Sequence, residues 1–121
     1  RNGKTVLIVD DDKAFCSALS DGLLLTVDDI TVYTAESGAQ ALAIIRTTAV
    51  DILITDLRMP AVDGRELVLW MNELRPATPV IVMSAYADPG TVMDLEKRGV
   101  HFYDKPLDLG ELAGTVRSLL S

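Results

Sequence analysis

Short hydrophobic runs alternate with segments of helical periodicity along the whole of this sequence. Most runs are unbroken stretches of Val, Ile and Leu, which are typical of parallel strands that are buried on both faces of a sheet. One run, residues 30–35, mixes polar and apolar side chains, as we expect of an edge strand. The strands predicted by this pattern are residues 5–9, 30–35, 52–55, 80–83 and 100–103.

The segments between the strands carry apolar residues at helical spacing. Ser37, Asp63 and Asp108 precede three of these segments as N-cap residues, and Gly99 follows another as a helix terminator. The predicted helices are residues 13–25, 38–47, 64–74, 91–98 and 109–120.

This order, a strand followed by a helix five times over, predicts an α/β fold. The expected architecture is a doubly wound, five-stranded parallel sheet with helices on both faces. The common strand order for such a flavodoxin-like (βα)5 arrangement is 2-1-3-4-5. Its ligand site lies at the carboxyl ends of strands 1 and 3, where the winding of the chain reverses.

Charged residues follow three of the predicted strands. Asp10, Asp11 and Asp12 follow the first strand, Asp56 follows the third, and Lys105 follows the fifth. In the predicted topology these groups meet at one edge of the sheet, where two carboxylates about 4 Å apart repel each other by roughly 4 kcal/mol at a dielectric near 20. A divalent cation with oxygen ligands offsets that repulsion, and Mg²⁺ suits such a site and supports phosphoryl transfer.

Composition narrows the possible partners. The length of 121 residues and the hydrophobic content of 49% fit one domain, residues 1–121. A net charge of −7 argues against nucleic-acid binding by this domain, and no apolar run is long enough to span a membrane. Because the chain starts at Arg1, we expect it to be excised from a longer protein. Cys16, Met83 and Met93 are candidates for ordinary core residues.

Several motifs, taken together, give the chain a specific resemblance. Asp10-Asp11-Asp12, Asp56-Leu57-Arg58-Met59-Pro60, Asp63-Gly64, Ser84-Ala85 and Lys105-Pro106 occur in the order and spacing of a CheY-like receiver domain of two-component response regulators. The resemblance covers essentially the whole chain. It implies a cytoplasmic signalling module that accepts a phosphoryl group from a histidine kinase or histidine phosphotransfer domain. Such a module catalyses only its own phosphorylation and dephosphorylation, with Mg²⁺ as cofactor.

The resemblance also implies roles at the acidic edge of the sheet. Asp56 corresponds to the phosphoacceptor and is also a metal ligand. Asp11 corresponds to the direct ligand of Mg²⁺, Asp10 acts mainly through water, and Arg58 offers its backbone carbonyl to the metal. Lys105 corresponds to the cation that holds a phosphoryl oxygen.

Further residues correspond to the switch that reports phosphorylation. Ser84 matches the switch hydroxyl, Phe102 matches the aromatic switch, and the bond before Pro106 is expected to be cis. The donor is expected to dock on the first helix and on the loop that follows the last strand, at Ala14, Phe15, Ala18, Pro106 and Leu107. Output, to an effector domain or through a homodimer, is expected at the face of the fourth helix, fifth strand and fifth helix.

Each of these residues also has a simpler interpretation. Asp10, Asp11 and Asp12 are typical helix caps, and Asp12 is expected to be one. Ser84 is a strand-end hydroxyl that can bond to the backbone, and Phe102 is a plausible core aromatic. Core burial accounts for Phe15 as well as docking does.

Two other functions remain open. A phosphatase or phosphotransferase with an aspartyl-phosphate intermediate usually has a second Asp two residues after the nucleophile, where this chain has Arg58. A phosphorylation-independent binding module on the same fold typically lacks an acidic residue or the lysine, and this chain has both. We further expect Arg58 and Tyr86 to impede the water that attacks the phosphoryl group.

Overall fold

The computed structural model describes residues 3–121, which form five strands and five helices in strict alternation. The strands are β1 (Lys4–Val9), β2 (Ile30–Ala35), β3 (Ile52–Asp56), β4 (Val80–Ser84) and β5 (His101–Asp104). The helices are α1 (Lys13–Thr26), α2 (Gly38–Thr47), α3 (Gly64–Leu74), α4 (Pro89–Lys97) and α5 (Leu109–Leu120).

All strands of the described chain pair in parallel, in the order β2-β1-β3-β4-β5. The predicted order 2-1-3-4-5 and the doubly wound fold class are therefore confirmed. The winding reverses between β1 and β3, where Val9 lies beside Thr55. The residues that follow these two positions, Asp10 and Asp56, consequently share one edge of the sheet.

The sheet separates two hydrophobic clusters. Leu7 and Val9 of β1 pack with the cluster beneath α2, α3 and α4. Val6 and Ile8 pack with the cluster beneath α1 and α5. Successive residues of a strand face opposite sides of a sheet, so an unbroken apolar run is what burial on both faces requires. Packing in these clusters fixes the position of each strand along its own axis, and hence the positions of the polar residues at its end.

Every helix of residues 3–121 begins at a side-chain cap. The side chains of Asp12, Ser37, Asp63, Asp88 and Asp108 each accept a hydrogen bond from the backbone N–H three residues later. Asp12 is thus the cap that the sequence predicted, and its neighbours Asp10 and Asp11 remain available for other contacts.

Helix α4 begins earlier than predicted. The sequence predicts a start at residue 91. In the structure, Asp88 caps the helix and Pro89 occupies its first turn. Proline is well suited to that turn because its missing N–H has no intrahelical partner there. The helix ends before Gly99, whose positive φ of 83° is the left-handed conformation that glycine adopts most easily.

The placement of the sulfur-containing residues differs from the prediction at one position. Met83 is buried, but Met93 on α4 is 58% exposed, so its assignment to the core is wrong. Helix α4 buries only Leu95, and Met93 lies on its solvent side. Cys16 is a buried residue of α1, and burial raises the pKa of its thiol to about 11.

Across residues 3–121, no helix combines the length and apolarity that a membrane span needs.

Candidate functional site: an acidic pocket at the carboxyl edge of the sheet

The carboxyl ends of β1, β3 and β5 bring four charged side chains together. Asp10 and Asp11 follow β1, Asp56 is the last residue of β3, and Lys105 follows β5. Asp10 is held by its backbone N–H, which donates to the carbonyl of Ala35 at 3.1 Å. Asp10 and Asp56 are only 1% and 8% exposed, so both carboxylates have lost most of their water. Such groups need partners, because a buried charge without one is costly.

Three of the carboxylates form a cluster that fits a metal ion. Asp10, Asp11 and Asp56 each offer one oxygen, and these oxygens lie within 4.8 Å of one another. Asp10 and Asp56 are buried, whereas Asp11 is exposed and lies on the solvent side of the cluster. Oxygen ligands with an open side suit Mg²⁺, which retains several of its waters. Arg58, whose carbonyl was the other expected ligand, lies in the exposed loop after β3.

Lys105 lies between two of these carboxylates. Its Nζ is 2.8 Å from Oδ2 of Asp10 and 3.4 Å from Oδ1 of Asp56. Its backbone N–H donates to the carbonyl of Ser84 at 2.8 Å, which fixes the start of its side chain. The bond between Lys105 and Pro106 is cis, as the resemblance implied.

The balance of charge at the pocket remains unfavourable for Asp56. Burial and the negative charge of Asp10 raise the pKa of Asp56 above its usual 3.8, although Lys105 acts in the opposite direction. Burial alone would lower the pKa of Lys105, but its hydrogen bond and attraction to Asp10 outweigh this and raise it. A bound cation would relieve the remaining repulsion between the carboxylates.

Gly64 allows the backbone of Asp56 to lie close to the start of α3. A Cβ added to Gly64 would lie 2.1 Å from the carbonyl oxygen of Asp56 and 2.8 Å from Cα of Leu57. Its N–H donates to the carbonyl of Leu57 at 2.9 Å, and this bond closes the loop after β3. In the sequence, Asp63-Gly64 indicates a helix start and is one of the motifs of the receiver-domain resemblance. The requirement for glycine beside Asp56 became visible with the tertiary contact.

Ser84 and Arg58 share one hydrogen-bond acceptor. Ser84 Oγ donates to the carbonyl of Tyr86 at 2.8 Å and accepts from the Tyr86 N–H at 3.1 Å. Arg58 Nε donates to the same Tyr86 carbonyl at 3.0 Å. The buried Ser84 hydroxyl is therefore satisfied inside the loop between β4 and α4. The Arg58 bond links that loop to the loop after β3.

Two aromatic residues of β5 point to opposite sides of the sheet. Phe102 is half-buried and packs against the cluster beneath α2, α3 and α4, together with Ala87. Tyr103 packs on the other side, and its hydroxyl is hydrogen-bonded to Thr115 of α5. Phe102 thus lies on the side of the sheet that carries Ala87 and the loop of Ser84.

A ring from α1 completes the pocket. The Nζ of Lys105 lies 4.3 Å from the centroid of the Phe15 ring, over its face. Phe15 is half-buried, with part of its side chain against the cluster beneath α1 and α5. The sequence suggested burial or partner docking for Phe15 and gave no signal for its contact with Lys105.

Comparison with known proteins assigns this fold and pocket to a family. The chain matches the response regulator receiver domain over residues 6–117. It therefore belongs to that family, and it is a receiver domain of the two-component response regulator type.

Individual relatives agree with this assignment. The transcriptional regulatory protein GlrR of Escherichia coli strain K12 is 38% identical over 104 residues, which are 85% of this chain and 23% of that protein. The transcriptional regulatory protein ZraR of the same strain is 35% identical over 117 residues, which are 96% of this chain and 26% of that protein. The chain thus spans about a quarter of the length of these curated relatives.

A solved structure shows the same architecture. The CheY-like receiver domain protein from Methanospirillum hungatei JF-1 superposes with a TM-score of 0.89 at 26% identity, covering 98% of this chain and 94% of that one. The fold and the family therefore agree, and the chain is a signalling module.

Proposed function

We propose that Asp56 accepts a phosphoryl group from the phosphohistidine of a sensor histidine kinase or histidine phosphotransfer domain. The observation that carries this proposal is the placement of Asp56 beside charges of both signs. The residue is 8% exposed, and one of its carboxylate oxygens lies within 4.8 Å of ligand oxygens from Asp10 and Asp11. The Lys105 ammonium lies 3.4 Å from its Oδ1. A carboxylate held in this way is oriented as a nucleophile.

The transfer is a displacement at phosphorus. A carboxylate oxygen of Asp56 forms the new P–O bond while the bond from phosphorus to the histidine nitrogen breaks. The bonding electrons leave with the imidazole, which takes up a proton. Asp10, Asp11, Asp56 and the carbonyl of Arg58 would hold Mg²⁺. When bound, the ion would neutralise charge on the phosphoryl oxygens. Lys105 supplies a second positive charge beside the acceptor.

The phosphoryl group then competes with Tyr86 for Ser84. The Ser84 hydroxyl leaves the Tyr86 carbonyl and donates to a phosphoryl oxygen, while Lys105 donates to another. Two charge-assisted hydrogen bonds contribute roughly 3–6 kcal/mol at about 1.5–3 kcal/mol each. Shifting a two-state equilibrium from 1:99 to 99:1 needs about 5.5 kcal/mol. The hydrogen bonds of Ser84 and Lys105 therefore supply nearly enough free energy to shift the equilibrium. Phe102 turns inward as Ser84 moves.

Partners follow from the surfaces around the pocket. The donor docks over the acidic edge, against Ala14, Phe15 and Ala18 of α1 and the loop of Pro106 and Leu107. Output leaves through the face made by α4, β5 and α5, where Met93 is exposed. GlrR and ZraR are transcriptional regulatory proteins about four times as long as the matched region, which supports an adjoining effector domain as the recipient of the signal. A homodimer formed through the same face is the alternative recipient.

One mass measurement distinguishes this proposal from the two alternatives. The protein is incubated with Mg²⁺ and a small phosphodonor such as acetyl phosphate, and its intact mass is compared with that of Asp56→Asn. We expect a gain of roughly 80 Da, one phosphoryl group, in the wild type and none in the variant. No adduct in the wild type would favour the phosphorylation-independent binding module. Continuous release of phosphate from unrelated phosphate esters would favour the phosphatase.

A further inference from the structure

The Lys105 ammonium is enclosed on two sides. Carboxylate oxygens of Asp10 and Asp56 lie 2.8 and 3.4 Å from Nζ, and the face of the Phe15 ring lies 4.3 Å from it. The side chain of Lys105 is only 21% exposed. The ammonium is thus held between two negative charges and the negative face of an aromatic ring.

We propose that Phe15 is a positioning residue for Lys105, and that its ring keeps the ammonium beside Asp56 where a phosphoryl oxygen arrives. This inference rests on the proposed function of Asp56 as phosphoacceptor. The attraction is a cation–π interaction, which strengthens as the cation loses water. Phe15 acts through Lys105 and does not contact the reacting atoms.

The need for a positioning group follows from the chemistry of lysine. Its ammonium is a compact charge on a flexible four-carbon stem, so it can occupy many conformations. Asp10 is the closer carboxylate and by itself would draw the ammonium away from Asp56. The ring of Phe15 attracts the ammonium from the side of α1, at a position from which it reaches both carboxylates.

Helix α1 is well placed to hold the ring still. Asp12 caps the helix by accepting a hydrogen bond from the N–H of Phe15 itself, at 3.1 Å. The ring also packs against the buried cluster beneath α1 and α5. The helix cap therefore holds the backbone of Phe15, and packing against the core holds its side chain.

The first test observes the contact without metal or phosphodonor. Nζ of Lys105 lies over the ring face, so we expect the ring current to shift the NMR signals of the protons on the adjacent Cε upfield. We expect this shift to vanish in Phe15→Leu, which keeps apolar bulk, and to persist in Phe15→Tyr. Tyr33→Leu, which removes an exposed ring from β2, should leave the shift unchanged. Equal Lys105 shifts in wild type and Phe15→Leu would overturn the proposal.

The second test measures the consequence for phosphoryl transfer. Phenylalanines with one, three and five ring fluorines are placed at position 15, since fluorination weakens the negative face with little change in shape. We expect the phosphorylation rate with acetyl phosphate and Mg²⁺ to fall stepwise, by about fivefold at the most fluorinated ring. The Tyr variant should restore the rate lost in Phe15→Leu.

The two ideas fail in different ways. If the wild type is phosphorylated on Asp56 but the rate is the same across the fluorinated series, the positioning role is overturned and the acceptor role stands. If the wild type forms no adduct at all, the acceptor role falls and the role of Phe15 in transfer falls with it. The Lys105 shift still decides whether the ring contact exists.

Discussion

Ser84 Oγ donates a hydrogen bond of 2.8 Å to the backbone carbonyl of Tyr86, two residues further along the chain. The same carbonyl also accepts from Arg58 Nε at 3.0 Å. Ser84 is 1% exposed, so its hydroxyl cannot exchange this partner for water while the loop keeps its shape. A phosphoryl group on Asp56 would therefore have to replace Tyr86 as the acceptor, and that replacement links phosphorylation to movement of the loop.

Ser84→Ala should separate phosphorylation from its structural response. The variant keeps Asp56 and Lys105, so a phosphoryl analogue such as beryllofluoride with Mg²⁺ should still bind. Without the hydroxyl, however, the backbone amide of Phe102 should shift far less in NMR spectra on binding. Ser118→Ala, at an exposed position of α5, is the matched control and should respond as the wild type does. A full Phe102 response in Ser84→Ala would contradict the proposed link.

Arg58→Ala should shorten the lifetime of the phosphorylated protein severalfold. The Arg58 guanidinium bridges to the Tyr86 carbonyl across the loops beside Asp56, and its loss would open a path for water. Tyr86→Ala should have a smaller effect, because the Tyr86 residue is 80% exposed. Half-lives are measured by the decay of labelled phosphoprotein in Mg²⁺ buffer. An unchanged or longer half-life in the double variant, Arg58→Ala with Tyr86→Ala, would show that these side chains do not impede the attacking water.

Asp56→Asn should stabilise the metal-free protein near neutral pH. Because folding raises the pKa of Asp56 above 3.8, the native state binds a proton more tightly than the unfolded chain does. The contribution of Asp56 to stability is thus present at low pH and is lost as pH rises through the folded-state pKa. In EDTA near pH 7, the variant should therefore have a higher free energy of unfolding than the wild type.

Urea unfolding at several pH values checks that sign. The advantage of Asp56→Asn over wild type should shrink as the pH falls and wild-type Asp56 takes up its proton. Asp21→Asn, at an exposed position on α1, is the matched control for the loss of one carboxylate. A variant that is less stable than wild type near pH 7 would indicate that attraction to Lys105 outweighs burial and Asp10.

Mg²⁺ should stabilise the protein, and Asp11 should matter more than its neighbour Asp12. Asp11→Asn removes a carboxylate of the cluster, so the Mg²⁺ concentration needed for half of the thermal shift should rise by at least roughly tenfold. Asp12→Asn changes the charge equally but retains a good N-cap for α1. The Asp12 variant should titrate close to wild type. If both variants lost Mg²⁺ affinity equally, the effect would come from the change in net charge and not from the loss of a metal ligand.

The fold was predictable because its determinants are local. Unbroken apolar runs and side-chain caps such as Ser37 and Asp63 specify elements within a few residues of sequence, and alternation of strand and helix then limits the topology. The proximity of Asp10 and Asp56 was also predictable, because the switch point of a doubly wound sheet places the ends of β1 and β3 side by side. The start of α4 was missed because a loop containing Pro89 fits the same pattern.

Contacts that depend on how loops and helices pack were not predictable. The bond from Arg58 to Tyr86 and the ring of Phe15 over Lys105 join segments that are far apart in the sequence. The approach of Gly64 to Asp56 depends on how the loop after β3 folds. No spacing rule connects such pairs. The exposure of Met93 was missed for a related reason, since α4 buries a single residue and its apolar positions do not all face the sheet.

The most direct test of the central claim is to map the phosphoryl group to a residue. After incubation with acetyl phosphate and Mg²⁺, borohydride reduction converts an aspartyl phosphate to homoserine, and peptide mass spectrometry locates the change. We predict homoserine at position 56 and unmodified aspartate at Asp10 and Asp11. Homoserine at either of those two positions, or at none, would contradict it.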